Sequence, residues 1–239
     1  MASNRFTTQI KNNHPGLSPE KPLTVIIPIA GIGNRMKSYG PKCLLEVPKK
    51  NKSIIEEIIA SIKNIYPYSD IIVCVGFEAD KVIKSLLGKV RIVENRDYNE
   101  TNITESIRLC MNVCMTDHVM IVYGDLIFSP SAISEITKHG SCALVDSKLR
   151  FKESEIGVNV VDKKITNFAY GLDTKWAHII FLENEELKFF KKQCVEKRKS
   201  KLYPFEIFNK ILDKGLTINA IEPRNMRIKE IDSSRDLFE

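Results

Sequence analysis

The hydrophobic pattern starts late in the chain. Residues 1–21 show neither alternation nor helical spacing, and Asn12, Asn13, Pro15, Gly16 and Pro19 punctuate them, so they read as a flexible leader. Residues 23–29 form an apolar, largely β-branched run that predicts a strand buried on both faces. Over 53–66, Ile54, Ile55, Ile58, Ile59, Ile62 and Ile65 fall at helical spacing, with Ser53 and Glu56 in capping-box register. Strands at 70–76, 90–94 and 118–123, with helices at 79–87 and 104–115, continue the alternation. Such an order predicts a parallel sheet with helices on both faces.

The pattern changes after residue 140. Short strands are expected at 141–145, 157–161, 164–168 and 176–181, then helices at 185–199 and 205–214 and a last strand at 217–222. The expectation is a leader, 1–21, and one domain, 22–239. That domain is an α/β, Rossmann-like, doubly wound and mainly parallel sheet carrying a mixed insertion. A tag remnant, a linker from a larger polypeptide and an oligomer contact all fit the leader's composition, so a homo-oligomer stays open.

The composition narrows the function classes. Of 239 residues, 43% are hydrophobic and 28% charged, as in ordinary globular chains, which excludes disordered, fibrous and coiled-coil proteins. No apolar run approaches the roughly 20 residues needed to cross a bilayer, and residues 1–22 lack a signal peptide's apolar segment. A cytoplasmic protein without a membrane partner is expected. The six cysteines lie mostly in apolar stretches without a CxxC, the usage of buried thiols in a reducing compartment. The net charge of +6 is spread along the chain, and the dense run at 191–201 reads as the polar face of a helix. Such a spread gives nucleic-acid binding weak support, and a small polyanionic substrate suits the charge equally well. His14, His118, His139 and His178 show no metal or triad spacing and read as structural.

The first strand ends in Ile29-Ala30-Gly31-Ile32-Gly33-Asn34-Arg35-Met36. Bare glycine backbone at the carboxyl end of a strand lets N–H groups approach phosphate oxygens. A dinucleotide fingerprint would need glycine at 36 and an acid closing the second strand, where Val75-Gly76 stands. A P-loop needs GK[ST], which is absent. What remains is G-x-G-x-R followed by Pro41-Lys42, two cations close to one loop. Asp125, after a fully apolar strand, is placed as ligands often are at a sheet's carboxyl edge.

These residues, with Pro41-Lys42-Cys43-Leu44-Leu45-Glu46-Val47, resemble the signature of the nucleoside-triphosphate-dependent nucleotidyltransferases, which make NDP-sugars and CDP-alcohols. Tyr123-Gly124-Asp125 is similar to that family's metal-binding Gly-Asp, and Glu230-Ile231-Asp232 to its second acidic motif. Asn95, Tyr98, Thr101, Asn102 and Ser106 resemble a segment of the phosphocholine cytidylyltransferase branch. Ile29 stands where the family has a small residue, Ile103 replaces its second asparagine, and the Glu-Lys-Pro motif of the sugar branch is absent.

The resemblance implies a GT-A-like nucleotidyltransferase fold whose mixed insertion lies on the acceptor side. It also implies a Mg²⁺-dependent transfer, most consistent with CTP as donor and a small phosphorylated acceptor. Arg35 and Lys42 would be catalytic. Ala30, Gly31, Ile32, Gly33, Asn34 and Arg35, with Thr101, Asn102 and Ser106, would bind the nucleotide. Asp125, Asp232 and Glu230 would hold the metal, since residues 230 and 232 share a side in an extended segment. Tyr170, Lys175 and Trp176 flank a turn suited to a small or cationic acceptor. Three alternatives stay open: a sugar-1-phosphate nucleotidyltransferase using UTP, GTP or dTTP, a glycosyltransferase of similar α/β design, and a non-catalytic nucleotide-binding domain.

Overall fold

A computed structural model describes residues 22–32, 40–149, 151–195 and 202–238. Along the first half, β1 (Thr24–Pro28), β2 (Glu46–Val47), β3 (Lys52–Ser53), α1 (Ile54–Ile65), β4 (Asp70–Val75), α2 (Ala79–Leu86), β5 (Arg91–Glu94), α3 (Ile103–Val113) and β6 (His118–Val122) follow one another. The second half holds β7 (Leu126–Phe128), β8 (Cys142–Asp146), β9 (Ile156–Val161), β10 (Lys164–Tyr170), β11 (Thr174–Glu183), α4 (Asn184–Val195), α5 (Pro204–Asp213), β12 (Asn219–Ile221) and β13 (Ile228–Glu230).

Nine strands form one sheet in the order β5-β4-β1-β6-β11-β8-β12-β10-β9. The first four are parallel, as the alternating pattern predicts. From β11 onward antiparallel pairing dominates, and β9 pairs with both β10 and β11, so this end of the sheet closes on itself. The α/β fold is thus a parallel half joined to a mixed half.

Side-chain alternation divides the core between the two faces. Val25 and Ile27 of β1, with Val73 and Val75 of β4, pack against the buried isoleucines of α1 and against Val82 and Leu86 of α2. Ile26, Ile72 and Cys74 point the other way, onto Ile107 and Cys110 of α3, Leu187 and Phe190 of α4, and Ile207 and Phe208 of α5. The start of α1 is the expected capping box: Ser53 Oγ accepts from the Glu56 N–H at 3.4 Å, and Glu56 accepts from the Ser53 N–H at 3.1 Å. All six cysteines are free thiols, and five are buried. No helix among the described residues is long and apolar enough to cross a membrane.

Two short ribbons lie outside the sequence expectation, β2 paired with β3 and β7 paired with β13, and the second of them shapes the site. β7 and β13 form a separate two-stranded ribbon, with Leu126 opposite Glu230 and Phe128 opposite Ile228. Strands of three residues are too short for periodicity to reveal, yet this ribbon carries the C-terminal acidic segment back to the end of β6.

Candidate active site

The parallel strands deliver their carboxyl ends to one cleft. Ile29 to Gly31 leave β1 there, and Gly124 and Asp125 follow β6. The backbone at Ala30 is locked by the Phe77 N–H, which donates to its carbonyl at 2.9 Å. Gly76 makes that approach possible, because a Cβ at 76 would lie 2.7 Å from Ala30 O and 3.0 Å from Tyr98 Cβ. The glycine that closes the second strand therefore lets the β1 and Tyr98 loops meet.

The cleft, about 230 Å³, is lined on one side by Ala30, Gly31, Lys42 and Asp125 and on another by Asn95, Tyr98, Thr101, Asn102 and Ser106. The buried Asn95 amide organises that second wall, donating to Thr101 Oγ1 at 3.2 Å and Ser106 Oγ at 3.1 Å. Its own carbonyl oxygen accepts from the Asp97 N–H at 3.1 Å. This ties the loop before α3 to the first turns of that helix. Ile32 lies outside the cleft lining, while Gly33, Asn34 and Arg35 fall outside the described residues.

Lys42 is delivered by the short 3-10 turn Lys42–Leu44 after Pro41. Its ammonium lies 3.0 Å from Asp125 Oδ2 and 3.6 Å from Asp232 Oδ1. The ribbon explains how two acids more than a hundred residues apart meet: the Ile231 N–H donates to the Asp125 carbonyl at 2.8 Å. Asp125 Oδ1 is buried and has no hydrogen-bond partner among the described residues. An orphaned buried carboxylate oxygen beside a second carboxylate is a donor set that fits a hard cation such as Mg²⁺. Among the described residues no group of three acidic, histidine or cysteine side chains converges as a metal centre.

The expected residues of the acceptor side are dispersed. Trp176 is 1% exposed and its indole is enclosed by Tyr123, Phe168 and Phe208, at centroid distances of 5.4–5.7 Å. It is a core residue, because β11 turns it inward at the middle of the sheet, and it offers no face to an acceptor. Tyr170 is exposed and packs edge-on to Phe205. Lys175 is buried and ion-paired with Glu155 and with Glu230 Oε2, the latter at 3.1 Å. Burial pulls its pKa down, but the two carboxylates outweigh burial and leave it above the ordinary lysine value.

Glu230 does not join Asp125 and Asp232 around Lys42. β13 ends at Glu230, so the alternation that would put 230 and 232 on one side stops there. Two further residues join Lys175 and Glu230 from outside the expected site, Glu155 and the His178 that reads as structural from the sequence. Glu155 sits in a polar loop with no distinguishing signal. His178 interrupts the apolar run of β11, and that interruption is a signal. Its imidazole stacks on Tyr123 at 4.8 Å, with Nδ1 3.5 Å from Glu230 Oε2. Burial, and then the charges of Asp125 and Glu230, raise the pKa of Tyr123 far above its usual value. Burial also pushes the Cys43 thiol, on the cleft wall, up to about 12, so it is no thiolate nucleophile.

Residues 25–150 match the MobA-like NTP transferase domain. Over 106 residues the chain is 30% identical to the bifunctional protein GlmU of Solibacter usitatus, a stretch that is 44% of this chain and 22% of that protein. Among solved structures, the CTP:phosphocholine cytidylyltransferase of Streptococcus pneumoniae superposes with a TM-score of 0.70 and 22% identity, over 90% of this chain and 96% of that one. A candidate glucose-1-phosphate thymidylyltransferase of Bacillus anthracis gives 0.74 and 21%, over 90% and 92%. At these identities the structural likenesses establish the fold.

Proposed function

Because this chain belongs to the MobA-like NTP transferase family, we propose that it moves CMP from CTP onto a small phosphorylated acceptor and releases pyrophosphate. The acceptor class is phosphocholine-like, phosphonate-like or polyol-phosphate-like, and residues 22–239 act as one nucleotidyltransferase unit. A cytoplasmic setting suits six free thiols. The observation that carries the reading is the Lys42 ammonium held between Asp125 and Asp232 on the wall of the glycine-lined cleft.

In this reaction an oxygen of the acceptor phosphate attacks the α-phosphorus of the nucleotide. The bond from that phosphorus to the bridging oxygen breaks, and its electron pair leaves on pyrophosphate. Both reactants are anions, so repulsion and misalignment are the obstacles rather than a weak nucleophile. Lys42 answers the first by placing a fixed cation where negative charge accumulates. The second is met by the open backbone at Ala30 and Gly31 and by the α3 wall, which hold the nucleotide from two sides. Asp125 and Asp232 would hold Mg²⁺, which when bound supplies further charge neutralisation to phosphate oxygens.

Support for cytidine comes from the wall built by Asn95, Thr101 and Ser106, whose sequence resembles the phosphocholine cytidylyltransferase branch. The test is pyrophosphate release with Mg²⁺, crossing CTP, UTP, GTP, ATP and dTTP with phosphocholine, aminoalkyl phosphonates, polyol phosphates and hexose-1-phosphates. Release with CTP and a non-sugar acceptor is the expected result. Release only with a sugar-1-phosphate keeps the mechanism and overturns the branch. Nucleotide binding without turnover for any pair favours a sensing domain, and absence of nucleotide binding overturns the proposal.

A further inference from the structure

We propose that Glu230 is an anchor rather than a metal ligand, and that Lys175 and His178 act through it as positioning residues that hold Asp232 opposite Asp125. The inference rests on the nucleotidyltransferase reading above and deepens it.

One cluster, built around the buried Lys175 and otherwise partly buried, touches both acidic segments. On the Asp232 side, Glu230 Oε2 takes the Lys175 ammonium at 3.1 Å and faces His178 Nδ1 at 3.5 Å. Lys175 is held in turn by Glu155, so the anchor reaches into the mixed half of the sheet. On the Asp125 side, the His178 ring stacks on Tyr123, which directly precedes Gly124 and Asp125. The His178 carbonyl accepts from the Tyr123 N–H at 3.2 Å. The two segments are then joined by the Ile231 N–H donating to the Asp125 carbonyl.

The backbone at His178 is unusual in the way a positioning role requires. Its φ is +56°, a left-handed conformation in mid-strand for a side chain with a Cβ, where β11 slips register against β8 between Trp176 and Ile180. Such conformations persist only where the surroundings impose them, and they concentrate at functional sites. Here the bulge turns the imidazole toward Tyr123 and Glu230. His178 Nδ1 is buried without a hydrogen-bond partner among the described residues. The carboxylate of Glu230, by contrast, is already committed to Lys175. A ligand for a hard cation needs oxygens converging with the other carboxylates, and among the described residues Glu230 forms no group of three with Asp125 and Asp232 that could hold a metal. Misplacing a ligand by about 1 Å is enough to impair such a site, which gives the anchor its purpose.

The test uses the full chain and reads Mn²⁺ affinity in the presence of CTP, by titrating the free-ion electron paramagnetic resonance signal. Glu230→Gln keeps an oxygen for Lys175 and is expected to stay within about threefold of the wild-type affinity. Glu230→Leu removes the anchor and is expected to weaken Mn²⁺ about tenfold. Glu230→Leu with Lys175→Met replaces the ion pair by an apolar contact and is expected to recover part of that loss. Asp232→Asn, which removes a proposed ligand, sets the scale of a direct loss. The inference is overturned if Glu230→Gln binds as weakly as Asp232→Asn, or if Glu230→Leu binds as well as the wild type. Should Glu230→Leu fail to fold, the comparison of Glu230→Gln with Asp232→Asn decides alone. A wild-type chain that binds no Mn²⁺ with CTP overturns the proposed function itself, an outcome distinct from the others.

Discussion

Ile29 fills the space beside Gly124: a Cβ built on the glycine would lie 1.9 Å from Ile29 Cγ2. The bulky residue at the end of β1 and the absent side chain after β6 are therefore one packing unit. Gly124→Ala is expected to cost about 1–3 kcal/mol through overpacking. It also displaces Asp125 and lowers turnover. Ile29→Ala in the same chain should restore both. Urea unfolding and initial rates on the wild type, each single variant and the double variant check this, and a Gly124→Ala protein identical to wild type would refute the coupling.

Lys42 and Asp125 provide a second prediction, because their ion pair is half-buried and stands where phosphate charge would gather. Asp125→Asn preserves volume and should leave the fold intact while reducing turnover by about a hundredfold or more. Lys42→Met should lower turnover at saturating substrate for the same electrostatic reason. Circular dichroism verifies folding, and steady-state rates verify the loss. Survival of Asp125→Asn activity within a few-fold would remove Asp125 from the metal role.

Much of the parallel half was legible because its elements are long and regularly patterned. The isoleucines of α1 and the Ser53/Glu56 capping box specify that helix and its start locally. The apolar strands ending in Ala30-Gly31 and Gly124-Asp125 likewise point to the carboxyl edge where the cleft lies. The ribbon of β7 and β13 was not legible, since three-residue strands have no period, and with it went the route by which Asp232 reaches Asp125. Trp176 and Lys175 misled for a related reason. Their neighbours in sequence suggest an exposed turn, but β11 begins at Thr174 and carries both inward. Only the tertiary pairing reveals that Lys175 meets Glu155 and Glu230.

Burial separates the two aromatic residues that flank this turn. Trp176→Ala should destabilise the protein by about 3–5 kcal/mol, the usual cost of emptying a large core site. Tyr170→Ala, at an exposed ring, should change stability by about 0.5 kcal/mol or less. Denaturant midpoints of the two variants measure the difference directly. Equal destabilisation would contradict the core placement of Trp176.

Glu56 gives a pH-dependent prediction. The Lys89 ammonium at 2.7 Å, followed by the Ser53 N–H, holds its carboxyl below the ordinary glutamate value, against a smaller opposing effect of burial. A carboxylate whose pKa is lower folded than unfolded stabilises the fold above its unfolded pKa, about 4.3. That stabilisation is lost as pH falls through the folded value. Glu56 is partly exposed, so the Lys89 pair adds little and the capping contacts dominate, at about 1 kcal/mol. The stability difference between the wild type and Glu56→Gln should therefore be full near neutral pH and shrink as the pH drops below about 4. Urea unfolding of both proteins across the range tests it: a difference that stays constant into acid would show that the charge on Glu56 contributes nothing to the cap.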